Sequence, residues 1–268
     1  MLRPLDDKWR ILAKVLPAVA VLVGTRLAVR ELDADFINNT SLVDAVIAAN
    51  VFILGFLLAG TLADYKESER LPGELASSLE TIADEFSIIQ EEGHDSGRAG
   101  LEYMSSLASQ VHEWFYRRVR TKALMDAITD LNHHLVAIDP VCVPQFVARM
   151  KQEQANLRRM LTRIDTIRDT QFVEAGYAMA QLGTLVVILG FLFVEIGPLA
   201  EAAIFTGIVS LLMLYLVLLI HDLDNPFDHD DRHGSAVRVS LRPIEDVEAR
   251  LHGRVAEISA AASSAAVE

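Results

Sequence analysis

The sequence predicts an all-α membrane protein of four transmembrane helices joined to a cytoplasmic helical bundle. Three observations predict it. The 268 residues are 51% hydrophobic but their apolar residues are bunched. Four runs, 11–28, 43–64, 176–196 and 199–220, are each long enough to cross a hydrocarbon core of ~30 Å, which takes roughly 20 apolar residues in a helix. The polar remainder shows apolar residues at three- and four-residue steps, and no stretch of it reads as a strand. The formal charge of -13 argues against a nucleic-acid partner. Membrane lipid is the partner that the composition implies.

The elements follow in order. Residues 1–64 hold a short polar arm and the first two spans. The arm carries Arg3, Lys8 and Arg10, whereas the loop 31–41 carries Glu31, Asp33 and Asp35 and no basic residue. Basic flanks stay cytoplasmic, so both termini and the middle region are expected there. Lys14 and Pro17 interrupt the first apolar run and no small-residue cleavage site follows, which reads as an uncleaved span and not a secretory signal. Arg26 and Arg30 close this span one turn apart at its outer end. They either snorkel to the interface or line an outer mouth and concentrate anions.

The second span has one face of unusual composition. At ~100° per residue, Ser41, Ala45, Ala48, Ala49, Phe52, Phe56, Ala59 and Ala63 fall within about 60° of one line. Ile47, Leu54, Leu57, Leu58 and the single amide, Asn50, fall elsewhere. Such a face suits close packing against another span, because small side chains let backbones approach. It equally suits a narrow pore, in which small side chains leave a lumen and two phenylalanines one turn apart constrict it. Lys66 and Arg70 continue the line beyond the apolar run, as a cation ring at an inner mouth.

Residues 65–175 form the middle region. Pro72 is expected to break or kink the helix, and 91–100, EEGHDSGRAG, is the clearest loop. A single amphipathic segment is expected over 101–138, a turn at Asp139 to Pro144, and a further helix over 146–172 with Phe146, Met150, Leu157, Leu161, Ile164 and Ile167 on its apolar stripe. About three long helices result, two of them extending spans two and three. Residues 176–221 hold spans three and four, with no basic residue in the turn between them. Residues 222–268 hold an acidic segment, DLDNPFDHDDRHG, then a short helix over 244–258 with Val247, Leu251, Val255 and Ile258 on one face.

No glycine-rich phosphate loop, nucleophile elbow or zinc signature is present, so nothing supports an enzyme. Cys142 has no partner within the chain. His94, His112, His133 and His134 read as surface or satisfied histidines.

Two motifs carry a resemblance. VFILGFLLAGTLADY followed by ERLPGEL resembles the pore helix of the bestrophins, and DNPFDHDD resembles their asparagine-proline-phenylalanine followed by an acidic cluster. The resemblance extends to the four-span layout, closely over some thirty residues. It implies a homopentamer with a central pore for inorganic ions built from five copies of the second span. Phe52 and Phe56 match the neck phenylalanines, and Ala48 takes the place of the first neck hydrophobe, where an alanine makes a shorter, wider neck. Chloride and other small anions are favoured by Lys66 and Arg70, against the nearby Glu67 and Glu69; monovalent cations are the alternative. The resemblance further implies calcium, for which Asp222, Asn225, Asp228, Asp230 and Asp231 offer oxygen ligands. That run is interrupted by His229, Arg232 and His233, and also reads as a solvated capping turn or a transition-metal site. A non-conducting membrane scaffold or sensor that binds a partner through its cytoplasmic helices is the rival function.

Overall fold

The computed structural model describes residues 7–38, 41–169, 174–224, 226–227 and 237–265. Among them are α1 (Asp7–Glu31), α2 (Ser41–Glu91), α3 (Asp95–Phe115), α4 (Thr121–Ile138), α5 (Pro144–Asp169), α6 (Glu174–Phe193), α7 (Leu199–Asp224) and α8 (Arg242–Ala265). Two two-residue strands, β1 (Ile37–Asn38) and β2 (Val194–Glu195), pair in parallel, Ile37 opposite Val194. The helices form two compact units, and α2 contributes to both.

The first unit comprises α1, α2 as far as Tyr65, α6 and α7. All four helices are long and apolar enough to cross a membrane, so this is an integral membrane protein. Its core joins Leu54 and Leu57 of α2 to Tyr177, Ala180 and Ile188 of α6 and to Met213 and Ile220 of α7. The outward faces of α6 and α7 expose large aliphatics, among them Leu182, Leu185, Leu189, Ile204 and Ile208. That distribution suits helices solvated by lipid, where backbone groups are satisfied internally and apolar side chains face out.

The second unit comprises α2 from Lys66 onward with α3, α4, α5 and α8. Here α2 buries Leu75, Leu79, Ile82 and Phe86 completely, each stabilising by ~1.5–3 kcal/mol in water. Along α5, Met150, Leu157, Leu161, Ile164 and Ile167 are buried, whereas Phe146, in the first turn of the helix, is exposed. Polar ties reinforce the α2–α5 seam. Ser78 donates to Glu153 Oε2 at 2.7 Å, Arg149 reaches Glu85 at 3.1 Å, and Arg163 grips both oxygens of Glu67 at 3.0 and 2.7 Å. Helix α8 is longer than the sequence suggests; of the expected apolar face Val247 and Leu251 are buried and Val255 and Ile258 half-buried, and Ile244 is buried as well. Arg250 binds both carboxylate oxygens of Glu80, at 2.7 and 2.9 Å, and Arg254 reaches Asp84 at 2.6 Å.

Three expectations for this region are corrected. Of the break or kink expected at Pro72, the break does not occur: the helix is continuous over Ser41–Glu91. A proline removes one backbone bond, here to the carbonyl of Ser68, and the fully buried Leu75 and Leu79 that follow hold the continuation in place. The loop expected over 91–100 shrinks to Glu92–His94, closed by Gly93 at φ 90. Gly97 and Gly100 stand inside α3, where a Cβ on Gly97 would come within 2.8 Å of the Ile89 carbonyl carbon and the Phe86 oxygen, and one on Gly100 would run into the Phe86 ring. These glycines permit close approach of α2 and α3 instead of marking a turn. Gly100→Ala should therefore cost ~1–3 kcal/mol by overpacking, measurable as a lower Tm than that of Gly73→Ala, whose Cβ has open space.

The segment expected as one helix over 101–138 divides at Tyr116–Arg120, where Arg117 adopts φ 59. Long-range partners impose that division. Trp114 Nε1 donates to Thr121 Oγ1 at 3.0 Å, and Thr121 donates to Asp165 Oδ1 of α5 at 2.8 Å. Arg168 lies over the Trp114 ring at 4.7 Å. The link from α5 to α6 lies at 170–173, outside the described residues.

Candidate functional site: the exposed line of the second helix

Burial along α2 follows the sorting of its side chains. In the first unit, Asn50, Leu54, Leu57 and Thr61 are buried. At ~100° per residue these lie on the side opposite Phe52. The small-residue line is exposed throughout: Ser41, Ala45, Ala48, Ala49, Phe52, Phe56, Ala59 and Ala63 all face outward. Phe52 is 75% and Phe56 67% exposed. The chain does not use this face to pack its own spans together. Leu42, Val51 and Leu62 flank it, also exposed.

Sorting of this kind differs from α6 and α7, whose outward faces carry large aliphatics. The exposed line of α2 offers alanines broken by two aromatic rings. A shallow, smooth strip with two protrusions one turn apart is what the residue types dictate.

In the second unit, Lys66 and Arg70 are exposed. Arg70 binds Glu74 one turn on at 2.8 Å, an exposed pair worth little. Glu67 is held by Arg163 of α5, so its charge is offset locally. Lys66 is left as the exposed cation of this turn without an ion pair among the described residues.

Arg26 and Arg30 have different placements. Arg26 is completely buried. Its guanidinium donates to Asp35 Oδ1 at 2.7 Å and to the carbonyls of Leu192 and Val194 at 3.0 and 2.8 Å. It therefore neither snorkels nor stands open at a mouth; it ties the end of α1 to the start of β2. Arg30 donates to the other oxygen of Asp35 at 2.7 Å and is one-third exposed. The hydrogen bond from Arg26, with Arg30 adding to it, holds the Asp35 carboxyl below the usual carboxylate range although burial acts the other way. Phe36 stacks near Phe193, ring centroids 5.1 Å apart, beside this knot. No local pattern announces the arrangement, because Leu192 at the end of α6 and Val194 of β2 lie more than 160 residues away.

Of the calcium candidates, Asp222 stands on the last turn of α7, half-buried. Asn225, Asp228, Asp230 and Asp231, and with them His229, Arg232 and His233, lie outside the described residues. His112 binds Glu248 of α8 at 2.6 Å and Tyr103 stacks against His134 at 4.4 Å, so two of the four histidines take structural contacts.

No protein-family model matches the chain, and no curated protein matches it. Solved structures do. A single-substitution variant of a bacterial bestrophin homologue from Klebsiella pneumoniae is similar over 92% of this chain and 98% of its own, at a TM-score of 0.75 and 14% identity. The form of that homologue phased on zinc matches over 92% and 98% at a TM-score of 0.70 and 13% identity. A membrane protein carrying a glycine-to-alanine substitution matches over 92% and 98% at a TM-score of 0.73 and 13% identity. Agreement over nine-tenths of both chains at so low an identity is agreement in architecture: four spans, a helix shared with a polar bundle, and a terminal helix on that bundle make this a chain of bestrophin-like fold.

Proposed function

We propose that the protein is a passive ion channel in which copies of α2, five by the bestrophin resemblance, turn their exposed lines toward a common axis. Ala48, Phe52 and Phe56 form its neck. The observation that carries this reading is the exposure of the alanine–phenylalanine line while Asn50, Leu54, Leu57 and Thr61 on the opposite side of the same span are buried. In lipid, small residues are left uncovered at no gain, whereas around an axis they leave a lumen. The exposed flanks Leu42, Val51 and Leu62 then meet neighbouring copies or lipid.

A neck of apolar side chains gates by dewetting, so a small change in radius switches conduction. The positive edges of the phenylalanine rings are compatible with a passing anion. Chloride and other small anions are the proposed cargo, because Arg163 offsets Glu67 while Lys66 stays exposed on the α2 line. Both termini are placed in the cytoplasm by the arginine and lysine bias of the sequence.

Purified protein in liposomes should carry current, and its absence removes the proposal. Under a salt gradient the reversal potential should lie toward that of chloride. Lys66→Glu should move it toward the cation potential by tens of millivolts, and Arg70→Glu, whose charge Glu74 already offsets, should move it less. Reversal potentials unchanged by Lys66→Glu would show that the ring is not a filter.

A further inference from the structure

Apolar contacts are non-directional and tolerate rotation of a helix about its own axis. The core that α2 shares in the first unit is of this kind, through Leu54 and Leu57 with Tyr177, Ala180, Ile188 and Met213. The contact at Asn50 is directional. Asn50 is 3% exposed, and its amide nitrogen donates to Thr184 Oγ1 of α6 at 3.2 Å and to Met213 Sδ of α7 at 3.3 Å. Opposite it stands Gly183, where any Cβ would collide with Asn50 Oδ1.

This arrangement is a poor one for stability alone. The amide oxygen is buried without a hydrogen-bond partner among the described residues, and a thioether is a weak acceptor. A leucine would serve a purely apolar seam better. A single polar side chain within an apolar helix interface instead specifies register at some expense of stability. Asn50 and Phe52 are two residues apart, or about 200° around the helix. Whatever fixes the azimuth of Asn50 also fixes that of the aromatic line.

We propose that Asn50, seated against Gly183 and bonded to Thr184, is a positioning residue that sets the rotation of α2 and so presents Ala48, Phe52 and Phe56 to the permeation path. The assignment rests on the channel reading above. Gly183 acts by what it lacks: a side chain there displaces the amide. Thr184 supplies the acceptor that only one rotation reaches.

The test reads rotation without relying on current. In a Cys142→Ser background, single substitutions Val46→Cys, Ile47→Cys, Ala48→Cys and Ala49→Cys are labelled in liposomes with a charged, water-borne thiol reagent. With Asn50 intact, Ala48→Cys and Ala49→Cys should react faster than Val46→Cys and Ile47→Cys. In Asn50→Leu the contrast should fall about five- to tenfold, the shift in population that one net hydrogen bond controls. Thr184→Val, an isosteric loss of the same bond, should do likewise and keeps the test open where Asn50→Leu does not fold. Thr184→Ser, which retains the hydroxyl, should preserve the original pattern, as loss of general packing would not. An unaltered contrast in folded Asn50→Leu or Thr184→Val overturns the positioning role while leaving the channel reading intact. Equal labelling of all four positions with Asn50 intact overturns the channel reading, and the positioning role with it.

Discussion

Phe52→Ala combined with Phe56→Ala should raise the resting current of reconstituted protein by about tenfold or more, since each ~1.4 kcal/mol removed from a barrier is a factor of ten in rate. Both rings are largely exposed on the α2 line, so their removal opens no cavity in the core and should leave Tm nearly unchanged. The separation of the two readouts matters: a current that rises with stability intact locates the barrier at these side chains. Ala48→Phe should act in the opposite sense, lengthening the apolar constriction by one turn and lowering the current. Leu189→Ala, on the exposed outer face of α6, serves as the control and should change neither.

The second large effect is on stability. Asp35→Ala strips the buried Arg26 of its counter-charge, and breaking a buried ion pair from one side costs ~3–5 kcal/mol because an uncompensated charge remains. Arg30→Ala removes the partly exposed partner of the same carboxylate and should cost much less, as solvent screens that pair. Replacing both Arg26 and Asp35 by leucine should recover much of the loss, since a well-packed apolar pair often equals a buried ionic one. The pH dependence has a defined sign. Asp35 titrates below its unfolded value, so its contribution is fully present above about pH 4 and is lost as the pH falls through the lowered value. Thermal melts should thus separate Asp35→Ala from the parent protein at neutral pH and converge in strong acid.

Periodicity and hydropathy reveal much of this architecture. The four spans are visible because lipid imposes a length on any helix that crosses it, and the α2 line because its small and large residues alternate at the helical period. Asn50 is visible too, as the one amide in an apolar run. Its bonding partners are not, since Thr184 and Gly183 carry no mark that distinguishes them from other small residues.

The misread features share a cause. Gly97, Gly100 and Pro72 are local punctuation in a sequence, but in the fold the glycines serve close helix approach and the proline is overridden by the leucines around it. The division at Tyr116–Arg120 has no glycine or proline to announce it, and depends on Trp114, Thr121 and Asp165 meeting across three helices. Arg26 reads as a surface cation because snorkelling is the ordinary fate of an arginine at the end of a span. Its burial requires Asp35 and the carbonyls of Leu192 in α6 and Val194 in β2, a set that exists only once α1 and α6 have come together.

In the proposed channel the exposed line of α2 faces an axis shared by several copies of the chain. Electron cryomicroscopy of the protein in a lipid nanodisc should therefore show a symmetric ring in which the Phe52 and Phe56 rings of every subunit converge on the central axis, with Lys66 on the same path. Phe52 and Phe56 facing lipid, or packed dry against a neighbouring span away from any axis, would contradict it.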